Sequence, residues 1–223
     1  MMIFISIAPS PVLAKDKNNI IVFKNGLSKS DIPQYVIDDL IVSNPNADNI
    51  TIYSISKADK NDLGVENNKD QSIQPMIFPI SYYQIDNNNM VKYVIISNEL
   101  VKDVLQFSLA KGQEMTLTQT YSASLSGSYS GTALNPSNLG VNMTITGSYV
   151  KSDKYYGPPE SSPNNCRLFK TKFYQERGNY HETYENNLYS FGVKVDNIYT
   201  ASNYGSYACP TYCYNYSVDI YVP

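Results

Sequence analysis

Every even-numbered position from Thr116 to Thr132 is serine or threonine. Thr118, Thr120, Ser122, Ser124, Ser126 and Ser128 form the centre of that row, and we take them as the candidate binding residues. Hydroxyls at period two fall on one face of an extended strand. They donate and accept hydrogen bonds without carrying charge, so the chemistry they offer is contact with a partner or with water. The odd positions between them are Leu117, Gln119, Tyr121, Ala123, Leu125, Gly127, Tyr129, Gly131 and Ala133, a mostly apolar opposite face. From Met115 to Val150 the chain carries no charged residue at all. Exposed strands normally hold Lys or Glu against edge-to-edge association, so this face is expected to be covered, self-associating or bound.

Other reactive types are sparse. Cys166, Cys209 and Cys213 are the three cysteines. In an oxidising compartment one disulfide is expected among them, with one thiol left over. Cys209 and Cys213 are spaced too widely for a CxxC redox pair, and sequence alone does not choose between a 209–213 bridge and one from Cys166. His181 is the single histidine. The run His181-Glu182-Thr183-Tyr184-Glu185 puts Glu185 where a HExxH zinc motif needs its second imidazole, so that metal site does not form. No Gly-x-Ser-x-Gly elbow, phosphate-binding loop or dinucleotide motif accompanies it. The chain therefore reads as a non-enzyme with no cofactor and no metal, and a secreted hydrolase is the disfavoured third option.

The elements that position these residues read as mainly β. Residues 19–23 form a short strand ending at the turn pair Asn25-Gly26. Ser30 caps a helix over Asp31 to Val42, with Pro33 in its first turn. Residues 49–55 alternate as a strand. After the charged loop 57–70, strands are expected at 76–78, 81–85, 91–96 and 104–109, with a hairpin turn at Asn87-Asn88-Asn89. Alternation resumes at Val141, Met143, Ile145 and Tyr149 after the turn Asn135-Pro136-Ser137-Asn138-Leu139-Gly140, so residues 116–150 read as one β-hairpin. Further strands are expected at 167–175, 189–196 and 214–222. Fourteen of the 21 tyrosines lie between Tyr149 and Tyr221, where a large ring with a polar tip suits strands at a water boundary. The expected organisation is a leader at 1–14, a small α+β region at 15–100, and an antiparallel β-sandwich around the long hairpin at 101–223.

Composition fits that picture. The chain has 223 residues, 42% of them apolar and only 17% charged, with a formal charge of −3. A broad basic footprint for nucleic acid is excluded, and no apolar run reaches the length of a spanning helix. Met1 to Ala14 is uncharged, apolar in its middle, and ends Val12-Leu13-Ala14 before Lys15. That is the pattern of a signal-peptide tail, which implies a secreted or cell-surface protein.

Phe107-Ser108-Leu109-Ala110-Lys111-Gly112, the hydroxyl ladder, Tyr156-Gly157-Pro158-Pro159 and Asn165-Cys166-Arg167-Leu168-Phe169 together resemble uncharacterised exported proteins of Gram-positive bacteria. The resemblance spans residue 101 to the carboxyl end and implies secretion and a β-rich fold. The uncharged hairpin itself is similar in composition to the Ser/Thr-rich hairpins of aerolysin-like toxins. Two roles follow as expectations. The first is a non-catalytic surface protein that binds an unknown partner, or itself, through hydroxyl and tyrosine faces. The second is an aerolysin-like pore-former that inserts residues 116–150 into a membrane as β-strands.

Overall fold

The computed structural model describes residues 20–58 and 81–223. The expected leader at 1–14, most of the charged loop and the strand at 76–78 lie outside the described residues. The fold is mainly β, with mixed and antiparallel sheets. Strands β1 (Ile20–Phe23) and β2 (Asn49–Lys57) flank helix α1 (Gln34–Ser43). Three very long strands follow: β3 (Ser81–Ala110), β9 (Cys166–Ser190) and β10 (Val193–Ile220). Between β3 and β9 the chain makes five short strands, β4 (Glu114–Thr116), β5 (Tyr121–Ser126), β6 (Ser128–Tyr129), β7 (Thr144–Tyr149) and β8 (Lys154–Tyr156).

One sheet runs β1-β2-β10-β9-β3, with β6 also on β10. β1 and β2 are parallel, and the remaining pairs are antiparallel. At about 3.3 Å per residue, β9 alone extends roughly 80 Å. β3 does not turn back at Asn87 as expected. Asn87 adopts a left-handed φ of 52°, but the chain stays on β9 and absorbs the surplus residues as a bulge between Asp86 and Asn89. Asn tolerates that conformation in a bulge as readily as in a turn. The true reversal falls inside the strand expected at 189–196. Phe191 and Gly192 both take positive φ, 47° and 78°, which is what a tight two-residue hairpin turn needs. Residue 100 lies within β3, and β2 pairs with β10, so the α+β elements and the long strands share one sheet.

Helix α1 begins at Gln34 with Pro33 as its N-cap residue, later than Ser30 suggested. Ser28 instead closes a capping box on the preceding 3-10 turn, Lys29–Asp31. Val36, Ile37 and Leu40 pack with Ile50, Ile52, Tyr174, Tyr214 and Tyr216. Lys172, 1% exposed, donates to Asp39 and to Ser43 Oγ (2.9 Å), and Tyr174 also donates to Asp39 (2.7 Å). A buried ammonium survives only when paired in this way. Because side chains alternate along a strand, Lys172 and Tyr174 face α1, whereas Phe169, Thr171 and Phe173 face the opposite side. That opposite side receives the hydroxyl hairpin.

Candidate functional site: the docked hydroxyl hairpin

β5 and β7 pair antiparallel, Tyr121 opposite Tyr149 through Ser126 opposite Thr144. β4 and β8 pair Glu114 with Tyr156 through Thr116 with Lys154. Stepping one residue at a time from the second ladder arrives at the first with no residue gained or lost. The stretch between the two ladders is irregular: Leu117 N–H donates to Asp153 O (3.0 Å), but Leu117 O accepts from Ser152 N–H (2.9 Å), a one-residue offset at Ser152, whose φ is 77°. Gly127 N–H to Met143 O (2.9 Å) continues the register of β5 and β7 by one pair. Residues 121–127 and 143–149 therefore share one register, with β4 and β8 a separate pair at the base.

The expected faces are both present. Thr118, Thr120, Ser122, Ser124, Ser126 and Ser128 are all exposed. Ser124 and Thr146 hydroxyls bond each other at 2.8 Å, and Ser126 and Thr144 at 2.9 Å. The odd face is turned to the body. Leu117 and Tyr149 pack with Leu109, Tyr155 and Phe169, and Ile145 packs with Phe173 and Cys213. The Tyr149 hydroxyl, pushed above its usual range by burial, points at the carbonyls of Lys170 (2.8 Å) and Tyr216 (2.7 Å). Asn215 Nδ2 donates to Ser148 O (2.8 Å), and Thr171 donates to Asn215 Oδ1 (2.7 Å).

Gly147 makes this closeness possible. A Cβ there would lie 2.4 Å from Thr171 Cγ2, 2.8 Å from Asn215 Oδ1 and 3.2 Å from Cys213 Sγ. Sequence reasoning did not single out Gly147, although a glycine between Ile145 and Tyr149 in an apolar row is a sign of close backbone approach. Beyond Gly127 the segment leaves its own partner strand. Ser128 and Tyr129 pair instead with Ala208 and Tyr207 at the β10 edge. Leu139 and Val141 then pack with Tyr180, Tyr207 and Cys209. Tyr180 has the opposite parity on β9 to Phe173, so the segment wraps from one face of the sheet to the other around β10.

Polar latches hold the wrapped end. Glu182 is fully buried, and its Oε2 accepts Leu134 N–H (2.8 Å) and Asn203 Nδ2 (3.2 Å). Its Oε1 has no hydrogen-bond partner, a costly arrangement for a carboxylate. Lys92 Nζ donates to Leu139 O (3.1 Å), and Cys209 Sγ donates to the same carbonyl (2.8 Å).

The expected disulfide is not formed in this structure: Cys166, Cys209 and Cys213 are all thiols. Cys213 stands opposite Phe173 and Cys209 opposite Glu176, roughly 23 and 33 Å along β9 from Cys166. Cys209 and Cys213 lie on one extended strand about 10–13 Å apart, beyond the roughly 7 Å a bridge tolerates between Cα atoms. Burial pushes the Cys213 thiol up to about 11. His181 stacks on Tyr204 at 4.4 Å with no hydrogen-bond partner at Nε2, and Glu182 points to the other face. No histidine-carboxylate pair for proton transfer is assembled there.

Compared with known proteins, the chain matches no family model, no curated protein and no solved structure. Among the described residues no helix is long and apolar enough to cross a membrane, which leaves strands untouched.

Proposed function

We propose that the protein forms β-barrel pores by swinging the hydroxyl hairpin off the sheet and into a bilayer with other copies of itself. One observation carries the reading: β5 and β7 already hold a register that separates apolar from hydroxyl side chains. Continued beyond Gly127 and Met143, that register sets Tyr129 against Val141 and closes at Leu134-Asn135-Pro136. From Tyr121 to Ala133 and back through Tyr149, the odd face is then apolar apart from Ser137, and the even face carries hydroxyls, amides and one glycine. Each arm has about 13 such residues, and a tilted spanning strand needs roughly 9–11.

The flanking strands support the same motion. β3 enters the hairpin and β9 leaves it, and the two are already neighbours at Ala110 and Cys166. Release at Gly112 and at Gly157-Pro158-Pro159 extends that pair without re-pairing the hairpin. An isolated hairpin leaves two open edges in lipid, so several copies must close the ring. The layer of β5 and β7 over the long sheet is then a partial sandwich whose second layer is the part that leaves. A secreted or cell-surface location accords with this use and with the leader-like residues 1–14.

The reading as a surface-binding protein accounts for the exposed ladder but not for its register or its uncharged length. Dye release from liposomes, together with SDS-resistant oligomers recovered from them, is the expected result. Full-length protein that neither releases dye nor oligomerises on lipid at any pH from 4 to 8 refutes the proposal.

A further inference from the structure

We propose that the pore does not discriminate by charge, and that its permeants are small hydrophilic solutes of either sign or none, limited by size. This inference rests on the pore reading and names what would pass. The hairpin's even face supplies the lumen. Ser122, Ser124 and Ser126 face that side with Thr144, Thr146 and Ser148 opposite them, and none carries charge. Selectivity for ions in wide channels comes from rings of charged side chains. Within the paired strands β4, β5, β7 and β8 the charged residues are Glu114 and Lys154, at the base of the two arms. They form an ion pair at 2.9 Å, so each copy adds no net charge to the rim. Lys151 lies in the turn between β7 and β8 and Asp153 directly after it, outside both ladders. Hydroxyls can donate and accept, so they solvate cations and anions alike.

The experiment uses full-length protein in planar bilayers under a KCl gradient. Wild-type pores are expected to give a potassium-to-chloride permeability ratio within about twofold of one. Ser126→Cys pores, assembled first and then treated with a charged thiol reagent, install a ring of charge without burdening insertion. A sulfonate reagent is expected to shift the ratio roughly fivefold or more toward potassium, and an ammonium reagent toward chloride. Leu125→Cys, on the lipid side, is expected to show neither shift, and treated wild-type pores report on the native thiols. Conducting wild-type pores with a ratio beyond about tenfold either way overturn the inference and leave the pore reading standing. Ser126→Cys pores that conduct but ignore both reagents overturn the lumen assignment. Absence of any conductance removes the pore reading and this inference with it.

Discussion

Replacing Gly147 with alanine adds one carbon atom where the docked hairpin has no room and the proposed inserted hairpin has plenty. The new Cβ would sit 2.4 Å from Thr171 Cγ2 and 2.8 Å from Asn215 Oδ1. Thr171 does not step aside easily. It is fully buried, its hydroxyl donates to Asn215 (2.7 Å), and it accepts from Gln106 Nε2 (3.2 Å). β7 must therefore lift by about an ångström, loosening the bond from Asn215 to Ser148 O. Overpacking of this kind costs about 1–3 kcal/mol. Taken as ~2 kcal/mol, that shifts the docked-to-released ratio by roughly 30-fold. For a chain of this size it lowers the melting temperature by about 4–8 °C. Position 147 lies opposite Ala123, on the side that the proposed pore turns to lipid, where a methyl group is welcome.

Scanning calorimetry and dye release are measured on the same preparation. Gly147→Ala should melt lower and release dye faster. Leu40→Ala serves as the control: it removes about 2–5 kcal/mol of packing under helix α1 and leaves the hairpin's contacts alone. It should melt lower without faster release. An unchanged melting temperature for Gly147→Ala would mean that β7 is not closely docked. A lowered one with unchanged or slower release would mean that undocking is not on the path to the membrane.

The remaining expectations test other parts of the same scheme. Ser128→Cys with Ala208→Cys, directly opposite on β6 and β10, should form a bridge that abolishes dye release until a reductant is added; release from the oxidised protein contradicts the wrapping path. Cys213, held protonated by burial under Gly147, should resist maleimide in solution and become labelled when liposomes are added, read by intact mass. Asp39→Asn strands the Lys172 ammonium, 1% exposed, and should cost about 3–5 kcal/mol by denaturant unfolding. Burial works against the Asp39 carboxylate, but hydrogen bonds from Lys172, Tyr174 and Ser43 outweigh it and hold its pKa below the ordinary value. Its contribution is therefore complete above the ordinary carboxylate pKa of about 4 and is lost as pH falls through the lowered one. Melting temperature followed from pH 6 to 2 should show that loss in the wild type and not in Asp39→Asn.

The hairpin was legible because period-two alternation is a local property: Thr116 to Thr132 and Val141 to Tyr149 announce two faces without any knowledge of what covers them. The short strands and helix at 20–57 were legible for the same reason. The great length of β3, β9 and β10 was not. Asn87-Asn88-Asn89 has the composition of a turn, and only pairing with β9 makes it a bulge. Conversely, Phe191-Gly192 has little of a turn's composition, and its position is set by where β9 and β10 must reverse. The site's anchoring residues were hidden because they act across long separations: Thr171 and Asn215 meet Gly147 only once three strands are assembled. Glu182 was visible as a neighbour of His181, yet its role depends on strand parity that places it against Leu134.

The folded monomer does not explain why residues 115–150 avoid charge. Ser122, Ser124 and Ser126 are exposed in the docked state, where lysine or glutamate would be hydrated at little cost and would protect against association. A water-filled lumen would accept such charges as well. Transit is different. A charged side chain held at the bilayer midplane costs roughly 2–4 kcal/mol, and several on one hairpin would rival the whole stability of a domain, about 5–15 kcal/mol. Hydroxyls that bond each other across the strands, as Ser124 does with Thr146 and Ser126 with Thr144, carry part of their hydrogen bonding with them. The uncharged stretch is bounded by Glu114 and Lys151, so charge returns where the proposed spanning arms end. On the proposed pore reading, the demand that shaped this segment is the crossing itself, and neither its starting point nor its destination requires it.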